Sequence, residues 1–128
     1  MHMNSFYLTA AIIAFFMGGA HSLMGERYFL KRLFKRELPY DVGSEVFINR
    51  TTRIAWHLTT VAWCGLALLL VVLSSNDTAP LAASIGNLIA LTFLISAALS
   101  AAGSKGRHLS WIVFLLIALT TWVGVWTS

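Results

Sequence analysis

Four apolar runs dominate the chain, at positions 6–25, 54–73, 81–102 and 109–126, and none of them contains Asp, Glu, Lys or Arg. Each is close to the ~20 residues a helix needs to cross the hydrocarbon of a bilayer. No period-2 alternation interrupts them, so the pattern predicts helices rather than strands. The first run is too long for the apolar part of a cleaved signal and has no leading Lys or Arg, so it reads as a permanent span. Met1-His2-Met3 reads as a start with a cloning remnant, and His2 is left out of the site. The predicted fold class is all-α: one domain, residues 1–128, built as a transmembrane four-helix bundle.

Composition agrees with the pattern. The chain has 128 residues, 58% hydrophobic and 11% charged, against about 25% charged in soluble domains. That balance excludes a soluble enzyme domain, a disordered chain and a disulfide scaffold. Cys64 is the single cysteine and reads as a small packing residue. All nine Lys and Arg fall between the first and second runs (Arg27, Lys31, Arg32, Lys35, Arg36, Arg50, Arg53) or between the third and fourth (Lys105, Arg107). The positive-inside rule then predicts a multi-pass protein of the bacterial inner membrane, with both basic connections cytoplasmic and both termini outside. The net charge of +4 is thereby read as orientation and not as nucleic-acid binding. The sequons at 49–51 and 76–78 are expected to stay unused, the first being cytoplasmic and the second against the bilayer.

Aromatic residues sharpen the boundaries. Trp56 and Trp111 fall at the cytoplasmic ends of their spans, and Phe6, Tyr7, Trp122 and Trp126 at the outer ends, as for rings at headgroup level. Trp63 lies nearer mid-membrane, where its indole N–H needs a partner inside the bundle. The stretch 26–53 is expected as a basic cytoplasmic loop. In it, 27–36 mixes cations with large apolar residues at helical spacing, and Leu38-Pro39-Tyr40 breaks the pattern. Helix one is expected to run past the membrane or bend onto its surface, where each cation near anionic headgroups contributes about 1 kcal/mol.

Small residues mark helix contacts in lipid. They punctuate the first run at Ala14, Gly18, Gly19, Ala20 and Gly25 and crowd the third, which is expected at the centre of the bundle or at a subunit contact. Asn87 on that third run is expected to hydrogen-bond between helices or touch a ligand. Thr120 and Thr121 can satisfy themselves on their own backbone.

The informative polar residues are His21 and His57, each roughly 5–6 Å inside the cytoplasmic boundary at 1.5 Å per residue. Arg53, His57, Thr60 and Cys64 line one helix face, and Ala14, Gly18, His21 and Gly25 line one face of the first helix. Ser22 and Glu26 lie on a neighbouring edge, Glu26 and Arg53 mark the two boundaries and are placed to pair, and His108 is a candidate third imidazole. Ionisable groups at membrane depth face the interior and mark functional sites by default. Three readings follow. His21 and His57 ligate b-type haem iron, with Gly18 and Gly25 making room and Arg27, Arg50 or Arg53 meeting propionates. His21, His57 and Glu26 hold a divalent metal or a quinone headgroup. Or Glu26, Arg53, His21 and His57 form a structural clasp, with Trp56 and Trp63 packed around it and no cofactor at all. Transport is disfavoured, because no charged residue occupies mid-membrane and no inverted repeat is visible. Catalysis is disfavoured too: Ser22 follows His21 directly, and adjacent residues on a helix do not face one another.

The strings His21-Ser22-Leu23-Met24-Gly25-Glu26-Arg27-Tyr28 and Arg53-Ile54-Ala55-Trp56-His57-Leu58-Thr59-Thr60 resemble a group of small four-span bacterial membrane proteins of uncharacterised function. In that group a histidine near the end of span one precedes Gly-Glu, and span two opens with Arg-x-x-Trp-His-Leu-Thr. The resemblance implies a shared polar site and no particular activity. The expectation is a small inner-membrane binding or accessory protein, self-associating or docked on a larger membrane complex. Its rival is a membrane redox protein carrying haem, metal or quinone.

Overall fold

The computed structural model describes residues 3–35, 44–75, 80–107 and 109–127, and among them there is helix and no strand. His2, the break at 38–40, the 76–78 sequon and His108 lie outside the described residues. Helix α1 (Ser5–Met24) starts where Asn4 caps it, the Asn4 carboxamide oxygen accepting from the Phe6 and Tyr7 N–H groups at 3.1 and 3.3 Å. Without a break it passes into a π-helical stretch, Gly25–Leu30, and a last turn, Lys31–Leu33. Helix α2 (Glu45–Ser75), helix α3 (Pro80–Ser104) and helix α4 (Ser110–Trp126) follow. Pro80 stands at the first helical position of α3, where its missing N–H costs nothing.

Much of the expected 26–53 loop is therefore helix. Where the apolar run ends the backbone ladder does not, since Arg, Lys and Glu are as good helix formers as Leu. Only the burial requirement changes at that boundary.

The helices run alternately up and down. The Asn4 N–H donates to Ser74 O at 2.9 Å, and the Asn4 side chain donates to Gly124 O at 2.8 Å, so the start of α1 meets the ends of α2 and α4. Tyr7 plugs that end of the bundle. It is fully buried, and a Cβ at Gly86 would lie 2.7 Å from its Oη while one at Gly124 would lie 2.8 Å from its Cδ1. Tyr7, at the end where its ring is expected, is thus a core residue, because two facing glycines leave a slot that its ring fills. The described Lys and Arg residues collect at the opposite, basic end.

α1 packs along α2 and against α4, α3 packs along α4, and α2 and α3 touch little. α1 and α4 form the middle of the bundle, which corrects the central placement of the third run. Only part of the small residues of α3 is used in packing: Ala82, Gly86 and Ala97 are buried with Ile89 and Phe93, whereas Ser84, Ala98 and Ala102 are exposed, as are Leu81, Leu88, Ile95 and Leu99. The α3–α4 turn is fixed by its backbone. The Gly106 N–H reaches Ala101 O at 2.8 Å and the Lys105 N–H reaches Ala102 O at 3.2 Å, with Lys105 and Gly106 both at positive φ. This is the Schellman pattern, here with Lys105 in the left-handed position that glycine usually takes.

Three helical segments, Ser5–Leu33, Glu45–Ser75 and Leu81–Ser104, are long and apolar enough to cross a membrane, and Ser110–Trp126 is shorter but also apolar. Only 22–33% of their apolar windows is buried within the fold. Their hydrophobicity is therefore not used up by the core.

Candidate functional site

At the basic end, the α1–α2 seam is set by what glycine leaves open. A Cβ at Gly18 would make ordinary contact with Cys64 Sγ at 3.4 Å and Thr60 Cγ2 at 3.6 Å, so Cys64 and Thr60 pack on the Gly18 stripe. At Gly25 a Cβ would overlap Nε1 and Cε2 of Trp56. The Trp56 ring lies directly on the α1 backbone, and its indole N–H donates to His21 O at 3.0 Å. The Gly25 N–H itself reaches both His21 O and Ser22 O. From that residue the helix widens to the π pattern, in which the Lys31 N–H reaches Glu26 O. π-bulges of this kind occur frequently at functional sites.

Around this point the aromatic rings form one cluster. His21 stacks on Trp56 with centroids 4.3 Å apart and planes 3° from parallel, and it meets Trp63 edge-on at 4.7 Å. Trp63 meets Phe114 of α4 at 5.0 Å, and Phe29 stacks on Trp56 at 5.0 Å.

A separate polar chain lies along the seam. Arg53 holds both carboxylate oxygens of Glu26, Nη2 to Oε1 at 3.1 Å and Nε to Oε2 at 3.1 Å. His57 Nε2 faces Glu26 Oε2 at 3.5 Å, and His57 Nδ1 is 2.6 Å from Ser22 Oγ. A carboxylate only accepts, so in the tautomer that carries its proton on Nε2, facing Glu26, Nδ1 accepts from the Ser22 hydroxyl.

The two imidazoles placed together by depth thus have different neighbours: His57 belongs to the Ser22–Glu26–Arg53 chain and His21 to the Trp56–Trp63 stack. The reason is steric. Trp56 takes the position in front of His21, and His57 reaches the Ser22–Glu26 edge instead. Spacing places Ser22 on the Glu26 edge but does not foresee its pairing with His57. Its signal was present as two pairs four apart, Ser22 with Glu26 and Arg53 with His57, which put matched polar edges on facing helices. Among the described residues no three His, Cys, Asp or Glu side chains gather as a metal centre. Asn87 lies away from this site, where it accepts from the Trp122 indole at 3.1 Å and ties α3 to α4.

Hydroxyl, imidazole and carboxylate in that order is the arrangement of nucleophilic relays. Here Ser22 lies within α1, where the neighbouring N–H groups are committed to the helix ladder and do not converge as oxyanion donors. Glu26 is also shared with Arg53. Through these contacts the polar chain links α1 to α2 side chain to side chain.

Beside it opens a cavity of 680 Å³ between α1, α2 and the start of α4, walled by Met17, His21, Phe29, Trp56, Trp63 and Phe114. Met24, Tyr28 and Leu109 also line it and are themselves exposed, so they form its mouth. Compared with known proteins, the chain matches no family model, no curated protein and no solved structure.

Proposed function

We propose that the protein is a small multi-pass membrane protein that binds one amphiphilic molecule in the cavity between α1, α2 and α4, with the Ser22–His57–Glu26–Arg53 chain holding two of the cavity walls in register. The cavity carries this reading. At 680 Å³, with aromatic and Met walls and an imidazole in the stack, it has the size and composition of small-molecule sites, which are mostly apolar with a few placed polar groups. The outward-facing apolar residues, Phe16 and Leu23 on α1 and Leu58 and Val61 on α2 among them, support a lipid environment. All four helices cross it in this reading. The collection of cations at one end supports a cytoplasmic basic end and outer termini, in a bacterial inner membrane.

The test is purification in mild detergent, followed by mass spectrometry of extracted small molecules, an absorption spectrum and metal analysis, on wild type and on Ala20→Phe, which puts a large ring at a residue lining the cavity. A stoichiometric amphiphile in the wild type, reduced in the variant, is the expected result. Adding it back at a hundredfold its dissociation constant should stabilise the wild type by about 2.7 kcal/mol. The same molecules in both samples, with no thermal shift on addition, overturns the binding reading. A Soret band or stoichiometric metal replaces it with the redox alternative at His21.

A further inference from the structure

Resting on that cavity reading, we infer that the occupant is an anionic phospholipid, with an acyl chain between the aromatic walls and its phosphate at the mouth among Arg27, Lys105 and Arg107. The interior fits hydrocarbon: Met17, Trp63, Val113 and Phe114 offer dispersion contacts and no charge. The mouth is different. Tyr28 lines it, and the Arg27 guanidinium lies 5.6 Å from the centroid of the Tyr28 ring. On the other side Leu109 lines it, two residues after Arg107 in the turn that also carries Lys105. That turn is held by the two Schellman bonds and by the Trp111 indole N–H on Gly106 O at 3.4 Å, so its cations are presented by a fixed backbone.

Charge decides the headgroup. Among the described residues the carboxylates are Glu26 and Glu45. Glu26 is already held at both oxygens by Arg53, and Glu45 starts α2 about 12 Å along the helix from Arg53. Among the described residues, then, no other carboxylate balances Arg27, next to Tyr28 in the chain, or Lys105 and Arg107, close before Leu109, beside an apolar slot. A phosphodiester with no cationic head complements these cations, whereas a zwitterionic head brings its own ammonium against Arg27 and Arg107. A neutral ring leaves the cations unanswered.

The experiment is native mass spectrometry of the full chain in a neutral detergent, titrated with dioleoyl phosphatidylglycerol or dioleoyl phosphatidylcholine. Wild type, Arg27→Gln/Arg107→Gln and Ala20→Phe are compared, with helicity checked by circular dichroism. One phosphatidylglycerol should bind about tenfold tighter than phosphatidylcholine. The double Gln variant should bring the two lipids level, and Ala20→Phe should weaken both. Equal affinities in the wild type, with both still lowered by Ala20→Phe, overturn the headgroup assignment and leave the cavity reading standing. A preference that persists in the double Gln variant overturns it as well. A preference abolished by the Gln substitutions but indifferent to Ala20→Phe places the lipid on the surface and defeats both readings.

Discussion

Gly25 is the residue on which the basic end turns. With no side chain it lets the Trp56 indole rest on the α1 backbone, share the His21 carbonyl and present a face on which His21 stacks. Gly25→Ala places a methyl inside that ring, and overpacking of this kind costs about 1–3 kcal/mol. A lowered melting temperature in detergent and a shifted tryptophan emission are the expected readouts. Gly19, six residues earlier, has nothing within 4 Å of an added Cβ. Gly19→Ala should be neutral, or stabilise by up to about 1 kcal/mol as backbone entropy is removed. Trp56→Phe keeps an aromatic ring and loses the donor, and should cost about 1 kcal/mol. Equal losses for the two glycine variants would show that the Trp56 contact is not what Gly25 provides. The sequence places Gly25 on a packing stripe by spacing, but which ring fills the space is a matter of rotamers, and spacing does not carry them.

At the scale of the elements, the α1–α2 seam couples two features that helical periodicity reads unequally. The small stripe is legible, since residues three and four apart share a face whatever their neighbours do, and Gly18 does lie against Thr60 and Cys64. The polar pairing was only half legible. Glu26 with Arg53 follows from opposite charges at one boundary, but placing His57 requires knowing that bulky Trp56 turns inward and moves the imidazole to the next edge. Cysteine pairs test this register. In a Cys64→Ser background, Ser22→Cys with His57→Cys should crosslink under mild oxidation, and His21→Cys with His57→Cys should not. The reverse pattern would restore a shared two-imidazole site. The ion pair should count for less than its geometry suggests: with Arg53 and Glu26 side chains 46% and 31% exposed, a double-mutant cycle on Arg53→Gln and Glu26→Gln should give a coupling under about 1 kcal/mol. The helix ends were the least legible, because a drop in hydropathy marks the edge of an apolar environment and not the end of a hydrogen-bonded ladder.

For the whole molecule, the packing makes orientation a collective property. Asn4 joins the start of α1 to the ends of α2 and α4, and the short 105–109 turn joins α3 to α4, so no helix can invert alone without breaking a contact at one end. The orienting charge is unevenly divided, with seven of the nine basic residues between α1 and α2 and two between α3 and α4. Because short basic connections near the first span usually dominate insertion, Lys105→Gln/Arg107→Gln should leave the orientation unchanged. Neutralising Arg27, Lys31, Arg32 and Lys35 together should produce a mixed or inverted population. Alkaline phosphatase fused after Thr127 reads this out, since that enzyme is active only outside the cytoplasm. High activity is expected for the wild type and for the double variant, with a marked loss for the fourfold variant. If the double variant alone abolished the activity, the second connection would be the anchor and α3 with α4 the pair that sets the fold's direction. If the wild-type fusion were inactive, the basic end would face outward, and the lipid at its mouth would have to come from the outer leaflet.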